Sequence, residues 1–215
     1  MSGLFITFEG GEGAGKTTQC RLLHDYFKGR GRDVVLTREP GGTPEGEKIR
    51  NLLVQRDGGQ WTPMAECLLF FAARQMHVEK LIKPALAAGK IVICDRFSDS
   101  TLAYQGYGHG FDHDTIRTLD RVTLQHFTPH LTFLLDIAPD QGLKRSLAHN
   151  QSTTGSQSTE DRFEHLKLEF HEKLRAGFLD IAQQNPGRIH VIDATQSADQ
   201  IYFAITKIVE AFHAV

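Results

Sequence analysis

The chain has 215 residues, 40 % of them hydrophobic, enough for the core of one sizeable domain. Lys and Arg number 24 against 26 Asp and Glu, a net charge of −2, so the chain lacks the polycation field that a nucleic-acid backbone or an anionic membrane surface would require of a partner. No apolar run approaches the ~20 residues of a spanning helix, the amino terminus has no basic leader, and Cys20, Cys67 and Cys94 show no C-x-x-C spacing; the expectation is buried thiols in a cytoplasmic protein.

In chain order, Leu4 to Phe8 is the first of five short, nearly continuous apolar runs, and such runs suit strands covered on both faces of a parallel sheet. It leads into Gly10-Gly11-Glu12-Gly13-Ala14-Gly15-Lys16-Thr17, followed by Thr18, which satisfies G-x-x-x-x-G-K-[ST]. Glycines let successive N–H groups turn toward phosphate oxygens, the helix amino terminus adds positive potential, Lys16 reaches the β- and γ-phosphates and Thr17 ligates Mg²⁺. A helix with Leu23, Tyr26 and Phe27 on one stripe follows, then a second strand, Val34 to Thr37. Ala65 to Ala88 reads as a long helical pattern before the third strand, Ile91 to Cys94.

Asp95 and Arg96 stand at the carboxyl end of that third run, where an open α/β sheet binds its ligand. Asp136 closes the fourth run, Leu131 to Ile137, in a similar way, so position alone does not choose between the two carboxylates; the adjacent arginine favours Asp95. Asn150 to Thr159 reads NQSTTGSQST, without a charged or large apolar side chain. A solvated loop and a mobile lid both fit, and the flanking Arg145 and Arg162 favour the lid. Phe163, Leu166, Phe170, Leu174, Phe178 and Ile181 recur at helical spacing and predict one helix of about five turns. The fifth strand, Ile189 to Ile192, precedes a last helix with Ile201, Ile205, Ile208 and Phe212 on one side and a capping box of Ser197 with Gln200. Strands alternating with helices predict a doubly wound α/β sheet.

Four segments, FEGGEGAGKTT (8–18), TREPGGT (37–43), FFAAR (70–74) and DRFSDSTLAYQG (95–106), resemble the bacterial thymidylate kinases in order and spacing across essentially the whole chain. The resemblance implies a single P-loop kinase domain, 1–215, with a five-stranded parallel sheet, helices on both faces and a lid at about 146–161. It implies transfer of the ATP γ-phosphate to dTMP with Mg²⁺ on Thr17 and Asp95, and a homodimer. Phe70 would stack on thymine and Arg74, four residues on, would reach its O4, although ordinary core packing is the alternative for Phe70. Thr101 and Gln105 would meet the base, and Tyr104 would stand against C2′ of the sugar. Glu12 would face the acceptor sugar, and Arg38, Arg50 and Arg96 would converge on the dTMP phosphate, with Arg38 and Glu39 presented after the second strand; Arg50 could equally be a solvated surface residue. Gly13 stands where one branch of the family carries a loop arginine, so Arg145 and Arg162 become the candidates for transferred charge, although residues 146–161 hold no Lys or Arg.

Two other readings remain open at this stage. A kinase for another deoxynucleotide would differ only in the base pocket. A GTPase-type switch would use the same loop, but the chain has no N-K-x-D motif, and Asp57-Gly58-Gly59-Gln60 lacks the D-x-x-G spacing. Eleven histidines include no H-E-x-x-H pattern, which disfavours a histidine metal site.

Overall fold

The structure is a computed structural model that describes residues 3–55, 58–153 and 162–213, with only the backbone described for 149–153 and 213. Five strands, β1 (Leu4–Glu9), β2 (Val34–Arg38), β3 (Ile91–Asp95), β4 (Leu131–Asp136) and β5 (Ile189–Asp193), form one parallel sheet in the order β2-β3-β1-β4-β5. Each strand begins in an apolar run and ends on a charged residue, Glu9, Arg38, Asp95, Asp136 or Asp193, so the carboxyl edge of the sheet is a row of ionisable groups. The central strands are buried as expected. β2 and β5 are edges and leave Leu36 and Val191 exposed, a departure from two-sided cover that follows from their having one strand neighbour each.

Alternation along β1 divides the core. Leu4, Ile6 and Phe8 face α1 (Lys16–Lys28) and α9 (Ala198–His213), packing on Cys20, Leu23 and Phe27 and on Ile201, Ile205 and Val209. Phe5 points the other way, toward Val78, Ile82, Val92, Cys94 and Phe97. Each such fully buried side chain contributes roughly 1.5–3 kcal/mol of transfer free energy. The same alternation sends Glu9 to the Phe5 side, which becomes important below.

α2 (Pro44–Val54) starts on Thr43, whose hydroxyl accepts from Gly46 N–H at 3.0 Å, with Pro44 at the first position. α3 (Pro63–His77) runs through a π-helical turn, Val78–Ile82, into α4 (Lys83–Ala87), so the predicted long helical segment is continuous but underwound from α to π in its middle. α5 (Ser98–Thr101) likewise passes into a π-helical stretch, Leu102–Gly108, that carries Tyr104 and Gln105. α6 (His113–Leu124) is capped by Asp112, which accepts from Thr115 N–H at 2.7 Å. The Ser197–Gln200 capping box opens α9 as expected, through Ser197 N–H to Gln200 Oε1 at 3.1 Å and Gln200 N–H to Ser197 Oγ at 3.3 Å.

Two expectations change. α7 (Pro139–Thr153) carries the helix into the polar NQSTTGSQST segment, because propagation of an existing helix needs no apolar side chain; residues 154–161, the rest of the expected lid, lie outside the described residues. The predicted five-turn helix, α8 (Leu168–Gln184), begins after Phe163 and Leu166 and not with them. Phe163 turns instead toward Tyr104, edge-on with centroids 5.2 Å apart, while Phe170, Leu174, Phe178 and Ile181 keep the predicted buried stripe. At the start of α7 two backbones touch: a Cβ on Gly13 (φ +66°) would stand 1.9 Å from the Gly142 carbonyl oxygen, and one on Gly142 would stand 2.4 Å from the Glu12 carbonyl oxygen.

Candidate active site

A cleft of about 1140 Å³ opens along the carboxyl edge of the sheet, between the glycine-rich loop, the ends of β2 and β3, and the helices that follow. The loop leaves β1 with Gly10 at φ +135°, then Gly13 at +66° and Gly15 at +91°, conformations that an L side chain rarely adopts. Ala14 is in the core. Lys16, the first residue of α1, folds its ammonium back on the loop and donates to the Gly10 carbonyl at 3.1 Å and the Gly11 carbonyl at 2.7 Å. Burial, with Arg96 nearby, pulls the Lys16 pKa below its ordinary value against the pull of Glu12 and Asp95.

Thr17 Oγ1 donates to Asp95 Oδ2 at 2.6 Å, bringing the first turn of α1 and the end of β3 together. Asp136 is spent elsewhere: Arg175 of α8 grips it through Nε at 2.7 Å and Nη2 at 2.8 Å. Of the two carboxylates that sequence position left open, Asp136 is thus paired with α8 while Asp95 meets Thr17.

Arg96 is the hub. Its backbone is left-handed (φ 71°), with its N–H bonded to the Phe8 carbonyl at 2.9 Å. Its guanidinium donates through Nη1 to the Gly10 carbonyl at 2.9 Å and to Ser100 Oγ at 3.2 Å, and through Nη2 to Glu12 Oε2 at 3.1 Å, while lying 5.0 Å from the Tyr104 ring centre. Burial would lift the Glu12 carboxyl, but Arg96 and Lys16 hold it below the ordinary carboxylate range. The Tyr104 hydroxyl donates to the other Glu12 oxygen, and burial keeps that hydroxyl protonated, its pKa far above the ordinary value. Behind Arg96 sits a residue that the sequence reading missed. Glu9 accepts from Phe97 N–H at 2.8 Å and from the Ser100 hydroxyl at 2.6 Å, and burial, then Asp99, push its pKa to about 7. The available signal was an acidic residue closing the first apolar run.

Farther along the cleft, Phe70 and Phe71 divide roles: Phe71 is in the core and Phe70 lines the cleft, so core packing does not account for Phe70. Arg74, 2 % exposed, donates through Nε to Glu39 Oε2 at 2.6 Å and through Nη2 to the Phe97 carbonyl at 3.2 Å and Thr101 Oγ1 at 3.0 Å. Its Nη1 is buried without a hydrogen-bond partner in the protein, as is Gln105 Oε1, while Gln105 Nε2 donates to Glu66 Oε2 at 3.0 Å. Glu39 is thus a buried partner of Arg74 at the cleft wall. Arg38 and Arg50 also line the cleft, Arg38 bonded to Glu47 Oε2 at 3.2 Å and Arg50 to the Pro40 carbonyl at 2.9 Å.

The two candidate lid arginines separate. Arg145 lines the cleft next to the loop and donates to the carbonyls of Ala194 at 2.7 Å and Thr195 at 3.3 Å. Arg162 does not come to the phosphate side. Its Nη1 lies 2.7 Å from Glu66 Oε1 and 2.9 Å from the Leu53 carbonyl, because the buried Glu66 carboxylate outcompetes open solvent for it. His109 packs tilted against Phe170 and His113 against Tyr107, with ring centres 4.7 and 4.4 Å apart.

The family model described as thymidylate kinase matches residues 8–205. Thymidylate kinase of Caulobacter vibrioides is 47 % identical over 207 residues, covering 96 % of each chain, and that of Syntrophotalea carbinolica is 47 % identical over 197 residues, covering 92 % of this chain and 90 % of its own. The crystal structure of thymidylate kinase from Ehrlichia chaffeensis superposes with a TM-score of 0.77 at 38 % identity, covering 98 % of this chain and 99 % of its own. Sheet order, phosphate loop and end-to-end similarity agree: the chain belongs to the thymidylate kinase family.

Proposed function

We propose that the cleft transfers the γ-phosphoryl group of ATP to the 5′-phosphate of dTMP, giving dTDP and ADP, with a donor half on the phosphate loop and an acceptor half closed by Phe70, Arg74, Thr101, Tyr104 and Gln105. The observation that carries this assignment of residues is that Lys16 and the Thr17–Asp95 pair open into the same cleft as a recess walled by Arg74, whose buried Nη1 lacks a protein partner. A guanidinium nitrogen in that state calls for an acceptor from outside the protein, and a pyrimidine carbonyl is one.

The oxygens of Thr17 and Asp95, 2.6 Å apart at the positive end of α1, suit Mg²⁺, which when bound neutralises charge on the β- and γ-phosphates. The chain's own residues do the rest. Lys16 exchanges the Gly10 and Gly11 carbonyls for phosphate oxygens, and Arg96 holds its charge between the two phosphates without reorganising, since Glu12, Ser100 and Gly10 fix its plane. Glu12, kept ionised, accepts from the acceptor sugar hydroxyl. Tyr104, pinned by Glu12 and Phe163, fills the space a ribose 2′-hydroxyl would need. Arg38 and Arg50 face the acceptor phosphate, and Arg145 serves the donor side.

Exposed Leu52, Met64, Leu68 and Val122 on the neighbouring helices α2, α3 and α6 support a homodimer through that side, to be tested by sedimentation equilibrium. Three buried free thiols and a nucleotide substrate pair support a cytoplasmic location. A product-resolved assay with ATP, Mg²⁺ and each nucleoside monophosphate tests the reaction. dTDP formed with dTMP strongly preferred is expected; faster phosphorylation of dUMP, dCMP or dGMP sinks the acceptor assignment, and ADP without a phosphorylated acceptor sinks the transfer itself.

A further inference from the structure

Arg74 and His77 lie three residues apart on one face of α3, and Glu39, at the end of β2, sits between them. Glu39 Oε2 takes the Arg74 Nε–H at 2.6 Å, and Oε1 lies 2.9 Å from His77 Nδ1. The far nitrogen of the ring, Nε2, is 2.8 Å from Thr37 Oγ1 on β2. His77 is fully buried and outside the cleft lining, so it touches no substrate. Its ring is boxed: a Cβ on Gly42 (φ +80°) would stand 2.4 Å from His77 Nε2 and 2.6 Å from Thr37 Oγ1.

Such an arrangement has a use at the other end. Nη2 of Arg74 is held by the Phe97 carbonyl and Thr101 Oγ1, and a Glu39 carboxylate held on both of its own oxygens steadies the Nε edge as well, so the direction of the unpartnered Nη1 is set from two sides. An N–H aimed at one point rewards a carbonyl there and opposes an amino group, whose own hydrogens face it. We propose that His77 is a positioning residue for acceptor choice: anchored on Thr37, it locks Glu39, and Glu39 locks Arg74 so that Nη1 selects a pyrimidine carrying a carbonyl over one carrying an amino group at the same edge. This rests on the reading that Arg74 faces the base.

The test is kcat and KM for dTMP and for dCMP in the wild type, His77→Leu, Thr37→Val and Arg74→Gln, with thermal unfolding of each protein. His77→Leu is expected to raise KM for dTMP and to lower the dTMP-over-dCMP preference in kcat/KM on the order of tenfold, with kcat on dTMP little changed; Thr37→Val does the same by a few-fold. An unchanged preference in His77→Leu, with Arg74→Gln losing it, overturns the proposal and leaves the Arg74 reading standing. An equal loss on both acceptors also overturns it, since a purely structural role predicts that pattern. Should His77→Leu not fold, Thr37→Val decides in the same terms. An unchanged preference in Arg74→Gln overturns the base-edge reading beneath the proposal.

Discussion

Replacing Glu9 by Gln removes one buried charge and little else in volume. In the fold Glu9 is 1 % exposed, accepts from Phe97 N–H and the Ser100 hydroxyl, and has a pKa of about 7 because of burial and then Asp99, against an ordinary 4.5. A carboxyl raised by folding stabilises the protein while protonated. That contribution is complete below about pH 4.5, is lost as pH rises through about 7, and amounts to ~3 kcal/mol once both states are ionised. Glu9→Gln, neutral throughout, is expected to equal the wild type near pH 5 within ~1 kcal/mol and to exceed it by ~2–3 kcal/mol at pH 8. Urea unfolding of both proteins across that range isolates Glu9 and the groups coupled to it, since titrating groups that do not interact with Glu9 cancel in the difference. Activity goes the opposite way: the amide offers one acceptor where two donors converge, the left-handed turn at Arg96 loosens, and kcat is expected to fall about tenfold. Parallel stability curves for the two proteins would refute the reasoning.

Three further outcomes follow from the geometry. Asp95→Asn is expected to remove at least ~10²-fold of kcat by disarming the Thr17 pair, whereas Asp136→Asn, whose carboxylate is gripped by Arg175, keeps kcat within a few-fold; steady-state kinetics with dTMP separates them, and equal losses would show the wrong carboxylate was chosen. Tyr104→Ala is expected to relax discrimination against a ribonucleotide acceptor by about tenfold, read as the ratio of kcat/KM for the deoxy and ribo forms of one acceptor; an unchanged ratio contradicts the steric role. Gly13→Ala forces a Cβ to within 1.9 Å of the Gly142 carbonyl and is expected to lower Tm by at least ~5 °C, while Gly11→Ala, with nothing within 4 Å of its Cβ, shifts Tm far less.

What was legible in the sequence was local. Continuous apolar runs located all five strands, because a buried parallel strand needs apolar residues on both faces, and the runs stop short only where a charged residue completes the ladder. The phosphate loop was legible because its chemistry is contained in adjacent residues. Long-range partners were not: Arg175 gripping Asp136, Glu66 taking Arg162 and Ser100 bonding Glu9 behind Arg96 each join residues far apart in the chain. Phe163 shows the same limit. Its spacing fits α8, but contact with Tyr104 takes it out of the helix, and periodicity carries no information about a competing partner.

The touching backbones of Gly13 and Gly142 have a consequence for how this enzyme changes over generations. Gly13 takes no side chain while Gly142 keeps its place, and Gly142 takes none while the neighbouring Glu12 carbonyl keeps its own, so loop and helix behave as a lock and its ward. An arginine brought into the phosphate loop at position 13 would have to arrive together with a retreat of α7, and a chain passing through either single change would meet the clash first. Charge for a transferred phosphate then has to come from beyond position 13, and the cleft offers Arg96 after β3 and Arg145 one turn past Gly142 on α7 itself.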